Sequence, residues 1–396
     1  MPGVRLRVLA YKSTALLGVA DRSQPDLNRC DAEASSKTRL TRTRSIEVLA
    51  RSYPFPMSNE PRMAEAALSA VTLAAAVCRQ VQRNLDDVRR ILKDDKSPVT
   101  IADYASQAVV ARELTRLLGD EPVLVAEETS TFLRDDDHAA HLEATVAAAR
   151  EVWEDCEPDA LLRMIDVGCG DTHHAGFWTL DPIDGTKGFL RNQQYAIALA
   201  YVQRGEPVIG VMACPNLSRD FNAPLDEPDP VGSVYLAIRG QGVEELPCLA
   251  PGEGSRLDRA RLTRPVRAEH APLRVCGSVE SAHSSDSGTE AVLAAVGGAN
   301  ERVRLDSQAK YAVVARGQAD AYMRLPTRKG YVERIWDHAA GALVASEAGC
   351  FVTDIDGRAL DFSHGRGLER NRGILCAPAA AHGALLGAIE ATFPKA

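Results

Sequence analysis

The sequence lacks several patterns that would assign a class at once. No uninterrupted apolar run reaches the ~18 to 20 residues that span a bilayer, so no membrane partner is expected. None of the nine cysteines belongs to a Cys-x-x-Cys pair, which leaves no zinc site and no disulfide framework, and fits a reducing intracellular compartment. There is no internal repeat. Excess positive charge is missing too: the formal net charge is -8, and basic residues gather only in the N-terminal stretch and between Arg256 and Arg267. Such a field disfavours polyanions, so no nucleic-acid partner is expected, and a small phosphorylated substrate would need local help from metal and Arg/Lys side chains.

What is present is ordinary in bulk: 396 residues, 45% hydrophobic and 25% charged, enough for two domains with substantial cores. Residues 1–60 read as a disordered extension or a transit peptide. They are rich in Arg, Ser and Thr without a sustained period, but Asp21, Asp26, Asp31, Glu33 and Glu47 are unlike the acid-poor transit composition. A transit peptide implies a soluble chloroplast or mitochondrial protein; otherwise the cytoplasm is expected.

From Met63 to Val88 apolar residues recur every three or four positions, the period of an amphipathic helix. A second helix is predicted over Ala102–Leu118, a short buried strand over Val123–Val125 and an Ala-rich helix over Leu142–Val152. A strand from Phe177 to Asp181 and a hairpin from Tyr195 to Ala213 follow. The run Pro224–Pro230, with three prolines and three acids, marks the expected boundary between domains at 61–225 and 226–396. Strands at 234–238, 273–276 and 320–323 and a helix at 337–348 complete an α/β order, which fits layered helices and sheets.

Two stretches carry the chemistry. Asp181-Pro182-Ile183-Asp184-Gly185-Thr186 packs two acids around a Pro-Ile step and follows them with Gly-Thr. Such a turn can hold a divalent metal through both carboxylates and the Ile183 carbonyl, while amides at Gly185 and Thr186 meet a phosphate. Trp336-Asp337-His338-Ala339-Ala340-Gly341 sets another Asp at a helix start. Asp103, Glu127 and Glu128 add further acids. Taken singly, these have plain readings: a helix cap at Asp103, a solvated strand end at Glu127, a residue favouring the helix dipole at Asp337. The Pro-locked pair has few structural excuses.

Together the motifs resemble the lithium-sensitive, magnesium-dependent phosphomonoesterases of the inositol monophosphatase superfamily. Ser97-Pro98-Val99-Thr100-Ile101-Ala102-Asp103 is similar to its first motif, and Ala126-Glu127-Glu128-Thr129 to its Gly-Glu-Glu-Ser, with Ala for Gly. The resemblance, from about Met63 onward, implies a two-domain layered α/β/α/β/α sandwich acting as a monomer. It implies two or three Mg2+ ions held by Glu127, Asp181, Asp184, Asp337 and the Ile183 carbonyl, with Asp103 and Thr186 positioning and deprotonating the attacking water.

Outside the metal motifs, Gly188-Phe189-Leu190-Arg191, His283-Ser284-Ser285, Leu305–Tyr311 and Tyr322–Pro326 look like the bisphosphate nucleotidase branch. Gly185, Thr186, His283, Ser307, Lys310, Arg324 and Asp337 are then the implied substrate contacts. The implied reaction removes the 3'-phosphate of adenosine 3',5'-bisphosphate, and also acts on 3'-phosphoadenylyl sulfate, in sulfur metabolism. The alternatives are an inositol phosphate phosphatase of the same superfamily and a non-catalytic nucleotide-binding regulator.

Overall fold

In the computed structural model, residues 59–85, 97–252, 258–268, 270–279, 286–326, 328 and 330–393 are described. The expected extension (but for its last two residues) and His283 lie outside them.

Helix α1, Glu60–Arg83, begins with Pro61 in its first turn, where a missing N–H costs nothing. Ala64, Ala67, Val71, Ala74, Cys78 and Val81 form the buried face that its period predicts. By length and hydropathy α1 is apolar enough to cross a membrane, but 78% of its most apolar window is buried within the fold, as in the core helix of a soluble protein. Helix α2, Ser97–Leu118, starts five residues earlier than predicted and ends at Gly119 in the left-handed conformation.

A seven-stranded sheet runs in chain order: β1 (Leu124–Ala126), β2 (Gly176–Asp184), β3 (Ala196–Gln203), β4 (Glu206–Cys214), β5 (Ser233–Ile238), β6 (Gly242–Pro247) and β7 (Ala260–Arg261). Only β1 and β2 are parallel. Helices α3 (Ala139–Ala149) and α4 (Pro158–Asp166) intervene, and a short α5 (Thr186–Leu190) follows β2. The second sheet uses β8 (Leu273–Gly277), β9 (Asn300–Arg304), β10 (Ala321–Arg324), β11 (Cys350–Thr353) and β12 (Ile374–Pro378), in the order β11-β12-β10-β8-β9. With it come α6 (Asp286–Val296), α7 (Ala309–Ala315), α8 (Ala339–Glu347) and α9 (Ala379–Thr392).

Side-chain alternation stacks these elements. Trp178, Leu180, Ile197, Leu199 and Val211 face α1 to α4. On the sheet's other face, Phe177, Ala196, Ala198 and Met212 meet α7 and α8, whose far side covers Tyr322, Ile374 and Cys376 of the second sheet. That sheet's outer residues, Val275, Ala321, Met323 and Leu375, pack under α6 and α9. The result is the α/β/α/β/α sandwich. The middle layer must be thin, and its glycine shows why: a Cβ on Gly341 would lie 2.3 Å from the Tyr311 ring.

Residues 56–396 cluster as one compact unit. The expected boundary at 225/226 falls within the path of the first sheet, because β5 continues the ladder from β4. The change of sheet comes between Arg261 and Leu273. The prolines at 224–230 therefore make a loop between neighbouring strands, and we propose the domain division near residues 262–272.

Candidate active site

Asp181 and Asp184 are three residues apart, so an unbroken strand would turn them to opposite faces. Here the register jumps: Asp181 pairs with Ala198 and Asp184 with Ala196, leaving Pro182 and Ile183 in the skipped step. The bulge restores both carboxylates to one face, the one carrying Ala196 and Ala198 toward the middle layer. Ser106 of α2 donates to the Pro182 carbonyl at 2.9 Å and fixes the bulge from behind.

Next door, β1 runs parallel to β2 with Ala126 opposite Leu180, so Glu127 continues beside Asp181. Gln107 of α2 holds this turn: its amide donates to the carbonyls of Glu128 and Ile165, both at 2.8 Å, and accepts from the Glu128 N–H at 3.0 Å. Asp103 lies one turn before Ser106 on the same helix and is buried. Ala126 keeps ordinary backbone angles, so its replacement of the family's Gly costs nothing here.

The third acidic segment arrives from the middle layer. Asp337 precedes α8, and His338 behind it is fully buried, with Tyr311 Oη at 2.9 Å from one ring nitrogen and Glu333 at 3.3 Å from the other. Glu333, Asp337 and His338 offer atoms within 4.8 Å of one another. Since Glu333 also pairs with Arg324 at 2.9 Å, Asp337 is the member of this trio left for a cation.

Electrostatics shows that these groups meet. Burial, then repulsion from Glu127, Asp184, Asp337 and Asp103, raises Asp181 well above the usual carboxylate range. Asp103 is raised likewise by burial and by Glu128 and Glu127. Glu127 as a residue is exposed, but its carboxyl is enclosed by the cluster. Lost hydration and the charges of Asp337, Glu128 and Asp184 push it up to about 8, with Arg334 opposing. Asp337 is raised to about 6, by burial first. Asp181 Oδ1 is buried with no hydrogen-bond partner among the described residues. A divalent cation with a taste for carboxylate oxygen answers both features, the repulsion and the orphaned oxygen. The donor set fits.

Beside the acids stands a second wall. Gly185 takes φ +89°, and a Cβ there would lie 2.8 Å from that of Ser307, itself at φ +67°. Thr186 is exposed at the start of α5. Arg191, after α5, pairs with the buried Asp306, which also accepts from the Val279 N–H at 3.2 Å. Lys310 is buried, with Nζ 3.4 Å from the Leu305 carbonyl and 5.4 Å from the Tyr322 ring centre; burial lowers its pKa, while Asp184 and Asp306 counter this. Arg324 bonds Tyr331 Oη at 3.1 Å besides Glu333.

Asp103, Glu127, Asp181, Asp184 and Asp337 thus converge, with Lys310 beside Asp184 and Arg324 beside Asp337. The sequence reading assigned no role to Gln107, Gln308 or Glu333. The two glutamines act through buried hydrogen bonds to distant segments, which no local pattern announces, and Glu333 through its contacts with the nearby Arg324 and His338.

The sequence model of the Inositol monophosphatase family matches residues 60–392. The chain belongs to the inositol monophosphatase family. Members of this family depend on metal, generally Mg2+. Within it, the chain is similar to a 3'(2'),5'-bisphosphate nucleotidase of Oryza sativa, 40% identical over 326 residues, covering 78% of this chain and 88% of the relative. A protein of the same name from Schizosaccharomyces pombe is 37% identical over 317 residues, 77% of this chain and 87% of its own. Among solved structures, CysQ of Bacteroides thetaiotaomicron, a bacterial member of the family, superposes with a TM-score of 0.52 at 23% identity, covering 80% of this chain and 96% of that one. SuhB of Mycobacterium tuberculosis gives 0.53 at 20%, covering 85% and 99%. Both share the fold.

Proposed function

We propose that the chain is a phosphomonoesterase that hydrolyses the 3'-phosphate of adenosine 3',5'-bisphosphate to AMP and phosphate, and that it also accepts 3'-phosphoadenylyl sulfate. The observation that carries this reading is the pairing of a five-acid cluster with a cationic wall, Lys310 and Arg324, in a chain whose relatives are named bisphosphate nucleotidases. One anionic group of the substrate answers the acids through metal; the other answers the wall.

Glu127, Asp181, Asp184, Asp337 and the Ile183 carbonyl would hold two or three Mg2+ ions. Bound there, divalent cations lower the pKa of an attacking water and neutralise charge on the departing oxygen. Asp103 takes the water's proton through the Thr186 hydroxyl, since a threonine alone is a poor base. The water oxygen forms its bond to phosphorus as the bond to the 3'-oxygen breaks, and that oxygen takes up a proton from solvent water to leave as the hydroxyl. Gly185 and Thr186 amides orient the phosphate. Ser307, Lys310 and Arg324 hold the remote 5'-phosphate, where a compact ammonium and a forked guanidinium are complementary. His283 is assigned to the purine. The working unit is a monomer without nucleic-acid or membrane partners.

Lys310→Met tests the wall. The KM for adenosine 3',5'-bisphosphate should rise at least about tenfold, the loss expected for one charged hydrogen bond of about 1.5–3 kcal/mol. Hydrolysis of a monophosphate lacking the second phosphate should change little. Equal effects on both substrates would contradict the assignment.

A further inference from the structure

Gln308 sits between the two acid-bearing segments, 2% exposed, and spends its polar groups on both. Its backbone N–H donates to Asp184 Oδ2 at 2.5 Å. The side-chain Nε2 donates to the Trp336 carbonyl at 2.9 Å, and Oε1 accepts from the Gly341 N–H at 3.0 Å. Trp336 and Gly341 flank Asp337, so one amide brackets the turn that presents this carboxylate. The bracket has a second purpose. A helix start leaves backbone N–H groups without partners, and α8 receives no side-chain cap from its own N-cap residue, His338. Gln308 supplies that acceptor from another element. The neighbouring contacts are as tight, with Ser307 against Gly185 and Lys310 one turn along.

We propose that Gln308 is a positioning residue that couples Asp184 to Asp337, setting the spacing of the two carboxylates for a shared cation site and holding the Ser307–Lys310 wall in register with it. Both donor and acceptor are required, which restricts the position to a side-chain amide of this reach. The inference rests on the metal-dependent reading above.

The test measures Mg2+ binding by calorimetry without substrate, alongside thermal stability, for the unaltered chain and for Gln308→Met. Methionine matches the volume and removes both side-chain hydrogen bonds. The dissociation constant should rise by about 10- to 100-fold, the usual effect of losing a partner that orients a ligand. The Mg2+ concentration giving half-maximal activity should rise with it, and high Mg2+ should restore much of the rate. Gln308→Asn, which keeps the amide but shortens its reach, should show a smaller shift in the same direction, and carries the test should Gln308→Met not fold. A purely structural role would lower the melting temperature and leave the dissociation constant unchanged in either folded variant; that result overturns the proposal. Failure of the unaltered chain to bind Mg2+ would instead defeat the metal reading beneath it.

Discussion

Asp181 is the residue on which the chemistry turns, and it is held at a cost. Its carboxylate is repelled by four others, and one oxygen finds no hydrogen bond among the described residues. Asp181→Asn should therefore move stability and activity in opposite directions. In EDTA the variant should melt a few degrees higher, because the cost of burying this repelled carboxyl is gone, while Mg2+-dependent phosphate release should fall more than about 100-fold. Differential scanning calorimetry and a phosphate assay on the same sample check both. A stability loss in EDTA would show that the acids are not in mutual strain. Gly188 makes a second residue-scale case, since a Cβ there would lie 2.1 Å from the Gln194 carbonyl. Gly188→Ala should cost about 1–3 kcal/mol, as overpacking does, read as a lower melting temperature. Asp181 and Asp184 stood out in the sequence as a Pro-locked acid pair, whereas Asp103, Glu127 and Asp337 had plain readings when taken singly. The buried glutamines were not legible, because what defines them is a partner 21 to 124 residues away.

At the scale of elements, the bulge in β2 decides the site. Sequence spacing alone cannot say that acids at i and i+3 share a face; the skipped register does. The loop after α5 is tied to the second wall by Arg191 and Asp306, so this pair should affect substrate binding more than turnover. Arg191→Ala should raise the KM for the nucleotide several-fold with a smaller change in kcat, and a double-mutant cycle with Asp306→Ala should be strongly non-additive. Additive effects would mean that the ion pair does not couple the segments. Helix α1 was readable from apolar residues at helical spacing, and the hairpin β3–β4 from two continuous apolar runs that the sheet buries on both faces. β9 was not, since Asn300–Arg304 is an edge strand with four polar residues and mostly exposed positions, and an edge need not alternate. The expected boundary at 225/226 falls on a loop between neighbouring strands of one sheet, because prolines mark a break in backbone regularity, and such a loop supplies that as readily as a linker does.

The whole molecule carries the pH dependence. Without cation, folded Glu127 and Asp337 keep protons up to about 8 and about 6, against ordinary values of 4.5 and 3.8. Below the ordinary values both folded and unfolded chains are protonated, and nothing is lost. As pH rises from there through about 8, the folded chain binds more protons than the unfolded one, so stability falls. Mg2+ binding must expel those protons, so affinity should grow over the same window. Melting temperatures in EDTA should drop between pH 5.5 and 8.5, and the gain on adding Mg2+ should widen. An EDTA curve that rises over this range would contradict the cluster described.

Phosphate release from adenosine 3',5'-bisphosphate and from inositol 1-phosphate should be compared at equal concentration, with Mg2+, with and without lithium. Clear preference for the adenosine compound and loss of activity in tens of millimolar lithium are expected. Preference for the inositol phosphate would contradict the proposed substrate, leaving the fold and the acid cluster in place but removing the role given to Ser307, Lys310 and Arg324.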